Sequence, residues 1–178
     1  MSYETFTRTL NVNVCGTFLS VQKSLPLLHA PAAARPAHHP ARIIILTSTA
    51  DGGLYAGRSA YISSKAAQTR FIDNLANEQR ESGIDVYGIY PGFTRTAMAE
   101  PMIQGTYHHV MFPEEKAKYL EWIAKGAIEG PEWCGEACAQ LSVGAAEGLK
   151  GKTAYYSVHV PALRHGDIMS SRLQIAPT

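Results

Sequence analysis

Two short apolar runs, Arg42-Ile-Ile-Ile-Leu-Thr47 and Ile84-Asp-Val-Tyr-Gly-Ile-Tyr90, flank a helical stretch that begins near Ser59 and stops at Gly83. Neither run alternates polar with apolar, and a nearly continuous apolar strand is one expected to be buried on both faces of a parallel sheet. Ser59 is a good N-cap and Gly83 a good stop, while Ala66, Phe71, Ile72, Leu75 and Ala76 give the helix between them a buried face. Strand, helix and strand in this order form a crossover unit, which is right-handed, so the two strands are expected to be adjacent and parallel. The fold class is therefore α/β, a three-layer parallel sheet with helices Tyr3–Leu28 and Ser59–Ser82 on one face.

The first of these helices rests on apolar residues at Phe6, Leu10, Val14, Phe18, Val21, Leu25 and Leu28, in steps of three and four. Asn13 and Gly16 lie inside it although neither is a good helix former, and such a local conflict is where a functional constraint shows. The Pro/Ala-rich stretch 29–41 breaks the pattern and is read as a loop. Residues 97–130 carry short helical patterns, Pro131–Glu147 reads as a further helix, and 161–178 as a weakly ordered tail.

The chain has 178 residues, 46% of them hydrophobic, enough for one core and without a composition shift that would divide it. Sixteen basic against fifteen acidic residues leave no basic stripe for nucleic acid and no polybasic segment for anionic lipid. Apolar runs are far too short for a membrane span, and the polar N-terminus is unlike a signal sequence, so a cytoplasmic, reducing setting is expected. Cys15, Cys134 and Cys138 form no zinc or redox pattern, and the histidines lack ligand spacing, so no metal is expected. His108 and His109 are read as pointing to opposite sides of an extended segment.

Chemistry concentrates between Ser48 and Lys65. Tyr61 and Lys65, four apart on a helix, share one face. A free phenol is a poor acid–base catalyst at neutral pH, and a fixed ammonium beside it favours the phenolate. Ser48, thirteen residues before Tyr61, closes the first apolar run, at the carboxyl edge of the sheet where ligands of open α/β folds bind.

This Ser…Tyr-x-x-x-Lys set, with Asn13-Val-Cys-Gly16 before it and Pro91-Gly92-Phe-Thr-Arg-Thr96 after it, resembles the active site of the short-chain dehydrogenase/reductase family. The resemblance runs from about Phe6 to Val160, taken as the catalytic portion of one Rossmann-type domain. It implies an oxidoreductase acting on an alcohol/carbonyl pair with NAD or NADP. Tyr61 would be the proton-exchanging group, Ser48 the holder of the carbonyl oxygen, and Asn13 the support of a relay water. Lys65 would tune the tyrosine and bind the cofactor ribose. Pro91 and Gly92 would set the turn over the nicotinamide, which Thr94 and Thr96 would contact.

In the same resemblance 97–130 is the substrate-covering segment, with Met98, Met102, Tyr107 and Met111 as pocket candidates, and Leu149–Val158 is the last strand; Tyr55, in the glycine-rich loop 51–57, is read either as a further substrate contact or as a structural aromatic. The family commonly pairs through its long helices, which implies a homo-oligomer. No G-x-x-x-G-x-G follows a strand, so the chain is expected to be the C-terminal part of the doubly wound fold, without the phosphate-binding half. The competing reading is a non-catalytic scaffold or interaction protein that keeps the fold.

Overall fold

The computed structural model describes residues 1–32, 40–48, 50, 53–126, 128, 130–143 and 153–155. The elements in order are α1 (Tyr3–Leu10), a π-helical segment (Asn11–Cys15), α2 (Gly16–Ala32), β1 (Ala41–Leu46), α3 (Ser59–Glu78) and β2 (Ile84–Tyr90). Then come α4 (Glu100–Ile103), a 3₁₀ turn (His108–Val110), α5 (Pro113–Ala124), α6 (Pro131–Ser142) and β3 (Thr153–Tyr155).

The strands form one parallel sheet in the order β1-β2-β3, with Ala41 opposite Ile84, Leu46 opposite Ile89, and Gly88 opposite Thr153. Side chains alternate across a strand, so this register fixes two cores. Ala41, Ile45, Ile84 and Val86 face Val21 of α2 and Ile72, Leu75 and Ala76 of α3. Tyr87 and Ile89 face the other way, onto Cys134, Ala137 and Leu141 of α6, with Ile44 beside them. The adjacent parallel strands and the three layers expected from the sequence are both present.

Every residue of β2 is buried, whereas β1 is only partly so. The expectation that both runs are buried on both faces therefore fails for β1. It is the edge of the described sheet, and Leu46 stays 49% exposed.

Several boundaries also shift. The helical chain runs on through Pro26 to Ala32, so no loop begins at His29, and residues 33–39 lie outside the described residues. Ser59 is the first helical residue rather than the cap, which is Arg58, and α3 ends at Glu78, with turns leading to Gly83 at φ +72°. Ala66 faces solvent. His108 and His109 lie in the 3₁₀ turn instead of an extended segment. The proposed last strand is described only at Thr153–Tyr155, and the tail 161–178 lies outside the described residues. Burial, reinforced by the Cys138 thiol one turn on, pushes the Cys134 thiol up to about 11, which suits a packing residue better than a nucleophile. Among the described residues no helix is long and apolar enough to cross a membrane.

Candidate active site

The carboxyl end of β1 and the first turns of α3 bring three of the expected groups together. Thr47 continues the ladder by donating its N–H to Ile89 at 2.9 Å, and its buried hydroxyl lies 3.0 Å from that of Thr69, which ties the strand end to α3. Ser48 follows, half-buried, its hydroxyl accepting the Ala50 N–H at 3.1 Å. Tyr61, in the first turn of α3, is 39% exposed and so open to a ligand.

One turn later Lys65 reaches back and donates from Nζ to the Leu46 carbonyl at 3.3 Å, with Nζ 5.8 Å from the centroid of the Tyr61 ring. The ammonium thus bridges the tyrosine to the strand end that carries Ser48.

Burial holds the Lys65 ammonium below its ordinary 10.5. A lysine with a lowered folded pKa binds fewer protons when folded than unfolded in the window between that lowered value and 10.5. Its stability penalty is complete below the lowered value and is relieved as pH rises through the window. Urea titrations are expected to show unfolding free energy rising with pH there, and Lys65→Met losing that rise. Parallel curves for the two proteins would contradict the placement.

Asn13 sits in the π-helical segment and meets α3 twice. Its amide donates to Ser64 Oγ at 2.8 Å, and Ser64 in turn donates to the Tyr61 carbonyl at 2.7 Å. Its own carbonyl accepts from Thr17 Oγ1 at 2.6 Å and from Gln68 Nε2 at 2.8 Å. A π-turn interrupts the regular ladder, and such turns gather at functional sites. Ser64 and Gln68 are buried at i+3 and i+7 from Tyr61; the sequence marks Ser64 only as a small residue that lets another helix approach and does not mark Gln68, though their spacing places both on the Tyr61 face.

β2 ends at Pro91-Gly92, where Gly92 at φ +73° makes a turn that a residue with a Cβ would adopt only under strain. Thr94 donates its hydroxyl to the Pro91 carbonyl at 2.8 Å, closing the loop. Thr96 accepts the Ala99 N–H on its hydroxyl at 3.2 Å and so starts the turn into α4. The loop lies at the same sheet edge as Ser48, because β1 and β2 are parallel neighbours.

Of the residues considered for the pocket, Met98 is 90% exposed and Tyr107 48% exposed. Met102 is half-buried and receives the Arg58 guanidinium at 3.1 Å, and Met111 is half-buried. Tyr55 lies under Arg58, ring centroid to guanidinium carbon 5.4 Å. Tyr119 is spaced for burial in its helix and is buried, but nothing in the sequence links it to Arg58 and His108, which lie on two other elements.

Residues 1–106 match the family model described as short chain dehydrogenase. Oxidoreductase UcpA of Escherichia coli K12 is 30% identical over 118 residues, 65% of this chain and 40% of that protein. A chloroplastic NADPH-dependent aldehyde reductase-like protein of Arabidopsis thaliana is 34% identical over 97 residues, 54% of this chain and 33% of that one. This chain thus spans well under half the length of either relative. The crystal structure of a 3-ketoacyl-(acyl-carrier-protein) reductase from Brucella melitensis complexed with NADH superposes with a TM-score of 0.70 at 22% identity, covering 87% of this chain and 57% of that one. The match over more than half of the chain, together with the Ser48, Tyr61 and Lys65 geometry on a parallel sheet, places this protein in the short-chain dehydrogenase family.

Proposed function

We propose that this chain is the substrate-side portion of a nicotinamide-dependent oxidoreductase that interconverts an alcohol and a carbonyl compound. The observation that carries the proposal is the Lys65 ammonium, held on the Leu46 carbonyl and 5.8 Å from the Tyr61 ring. Tyr61 gives its proton to the substrate oxygen in reduction and takes it back in oxidation. Ser48 holds that oxygen by a hydrogen bond, and Lys65 stabilises the phenolate that the transfer leaves behind. Asn13, tied through Ser64 to the Tyr61 carbonyl, fixes the turn of α3 that carries the tyrosine and supports the outward relay from Lys65.

The residues present fit the nicotinamide end of a dinucleotide. Gly92 at φ +73° lets the loop fold close to a flat ring, and the Thr94 and Thr96 hydroxyls lie on that loop with Pro91 setting its start. When bound, NAD or NADP supplies or accepts the hydride. The printed names of the relatives include one NADPH-dependent protein and one NADH complex, which supports the nicotinamide class without choosing between them.

The phosphate end needs a glycine turn opening a helix after a strand, and the sequence contains no G-x-x-x-G-x-G. Calorimetric titration of the chain alone with NADH and NADPH is therefore expected to show binding weaker than micromolar. Micromolar binding of either would refute this division of the site. Carbonyl reduction is to be assayed after fusing the chain behind the N-terminal βα units of a family member, and absence of any turnover in a folded fusion would count against the proposed activity.

A further inference from the structure

Arg58 lies one turn before Tyr61 at the start of α3, and its guanidinium rests between two uncharged partners, the Tyr55 ring and the Met102 sulfur. A ring face and a thioether hold a guanidinium in place without neutralising it. Glu115, the carboxylate that closes on the same loop, directs its two oxygens to the N–H groups of Ala56 at 3.0 Å and Phe112 at 3.1 Å. Among the described residues Arg58 forms no ion pair.

Across from it stands Tyr119 of α5, 8% exposed, with Phe93 and His108 edge-on at centroid distances of 5.5 and 5.6 Å. The charge of Arg58 reaches the Tyr119 phenol, partly opposing the upward push of burial on its pKa. Among the described residues the buried Tyr119 hydroxyl has no hydrogen-bond partner, and neither has Nε2 of His108 beside it. Buried polar atoms without partners cost about 1–3 kcal/mol each and are rare in native proteins, so two neighbouring ones need a reason. Phe93 belongs to the loop after β2, so this cluster borders the nicotinamide side of the site, while Arg58 borders the Tyr61 side.

We propose that Arg58, Tyr119 and His108 form a subsite for a carboxylate on the substrate, which makes the substrate an oxo acid or its hydroxy acid. The guanidinium supplies charge and planar donors, and the phenol and imidazole supply the directed hydrogen bonds that the empty cluster leaves unused. The proposal rests on the reading of Tyr61 as the place where the substrate carbonyl sits, but it concerns binding and not turnover.

The test is ligand-observed NMR on the full chain with 4-oxopentanoate and its methyl ester at matched concentrations. The acid is expected to bind about ten- to a hundredfold more tightly than the ester, the range of one charged hydrogen-bonded contact. Arg58→Gln should abolish that preference and Arg58→Lys should keep part of it. Tyr119→Phe should weaken acid binding and at the same time raise the melting temperature, because it deletes a buried hydroxyl that has no partner in the free protein. A merely structural Tyr119 hydroxyl would lower it instead.

Equal binding of acid and ester, no binding of either, an Arg58→Gln protein that keeps the preference, or a Tyr119→Phe protein that loses stability would each overturn the subsite. The acid-over-ester preference in Arg58→Gln reports the subsite, whereas turnover in Tyr61→Phe reports the proposed catalytic role, so the two are read in separate experiments.

Discussion

Tyr61→Phe, introduced into the chain fused behind the N-terminal βα units of a family member, is expected to lower turnover by about 10²- to 10⁴-fold, the range for removing a general acid–base group. The ring is retained, and its hydroxyl contributes little to packing because Tyr61 is 39% exposed. Folding, followed by circular dichroism and thermal melting, should therefore be unchanged. Lys65→Met should also reduce turnover, since it removes the ammonium that faces the Tyr61 ring and reaches the Leu46 carbonyl. A purely structural tyrosine predicts the reverse pattern, lost stability with a preserved rate. A Phe variant that turns over a carbonyl substrate at near-normal rate would remove Tyr61 from the mechanism.

The largest expected effect on stability lies on the opposite face of the sheet. Parallel register sets Arg42 of β1 directly beside Asp85 of β2, with Nε 3.8 Å from Oδ2 and the two side chains only 13% and 10% exposed. Arg42 also donates from Nη1 to the Ser142 carbonyl at 2.8 Å, holding the last turn of α6 on the sheet, and the Tyr87 hydroxyl lies 3.5 Å from Oδ2 of Asp85. Arg42→Leu strips a buried carboxylate of its cation and frees the end of α6. Breaking a buried pair from one side costs about 3–5 kcal/mol, a large share of the roughly 5–15 kcal/mol that holds a domain together. The double variant Arg42→Leu/Asp85→Leu should recover most of that loss, since two leucines leave no charge to desolvate. Urea unfolding of the single and double variants decides the matter, and a single variant within about 1 kcal/mol of the parent would show the pair to be incidental.

Features written in local periodicity were legible before the structure. The two apolar runs and the helix between them each follow from a pattern within one element, whereas the end of that helix at Glu78, before the turns to Gly83, does not. The neighbouring placement of Ser48, Tyr61 and Lys65 followed because they lie at the end of one strand and the start of the next helix in the chain. What depended on the sheet as a whole was not legible in the same way. Leu46 reads as a core residue and is half exposed because its strand lies at an edge, a property of neighbours and not of the run itself. The meeting of Arg58, His108 and Tyr119 spans three elements more than sixty residues apart at its ends, and no periodicity records it. Ser64 and Gln68 fall between these cases: their spacing from Tyr61 was visible, but their partner, the Asn13 carbonyl and amide, was hidden by the assumption of a regular helix.

That irregularity fixes a helical phase. The covered side of the first helical rod runs Phe6, Leu10, Val14 and then Thr17, Val21, Leu25, Leu28. From Phe6 to Val14 two turns take eight residues, where an α-helix uses about 7.2, and from Val14 onward fourteen residues make four turns. The surplus is close to one residue, and it falls where Asn11–Cys15 is π-helical. Without that residue α1 would be rotated by about 100° relative to α2, carrying Phe6 and Leu10 away from α3 while Val21 stayed on the sheet. Chain length between Leu10 and Gly16 is therefore a stricter constraint than the identity of an exposed residue such as Val12: side chains there can be exchanged, but a deletion would turn one end of the rod away from the helix that carries the tyrosine.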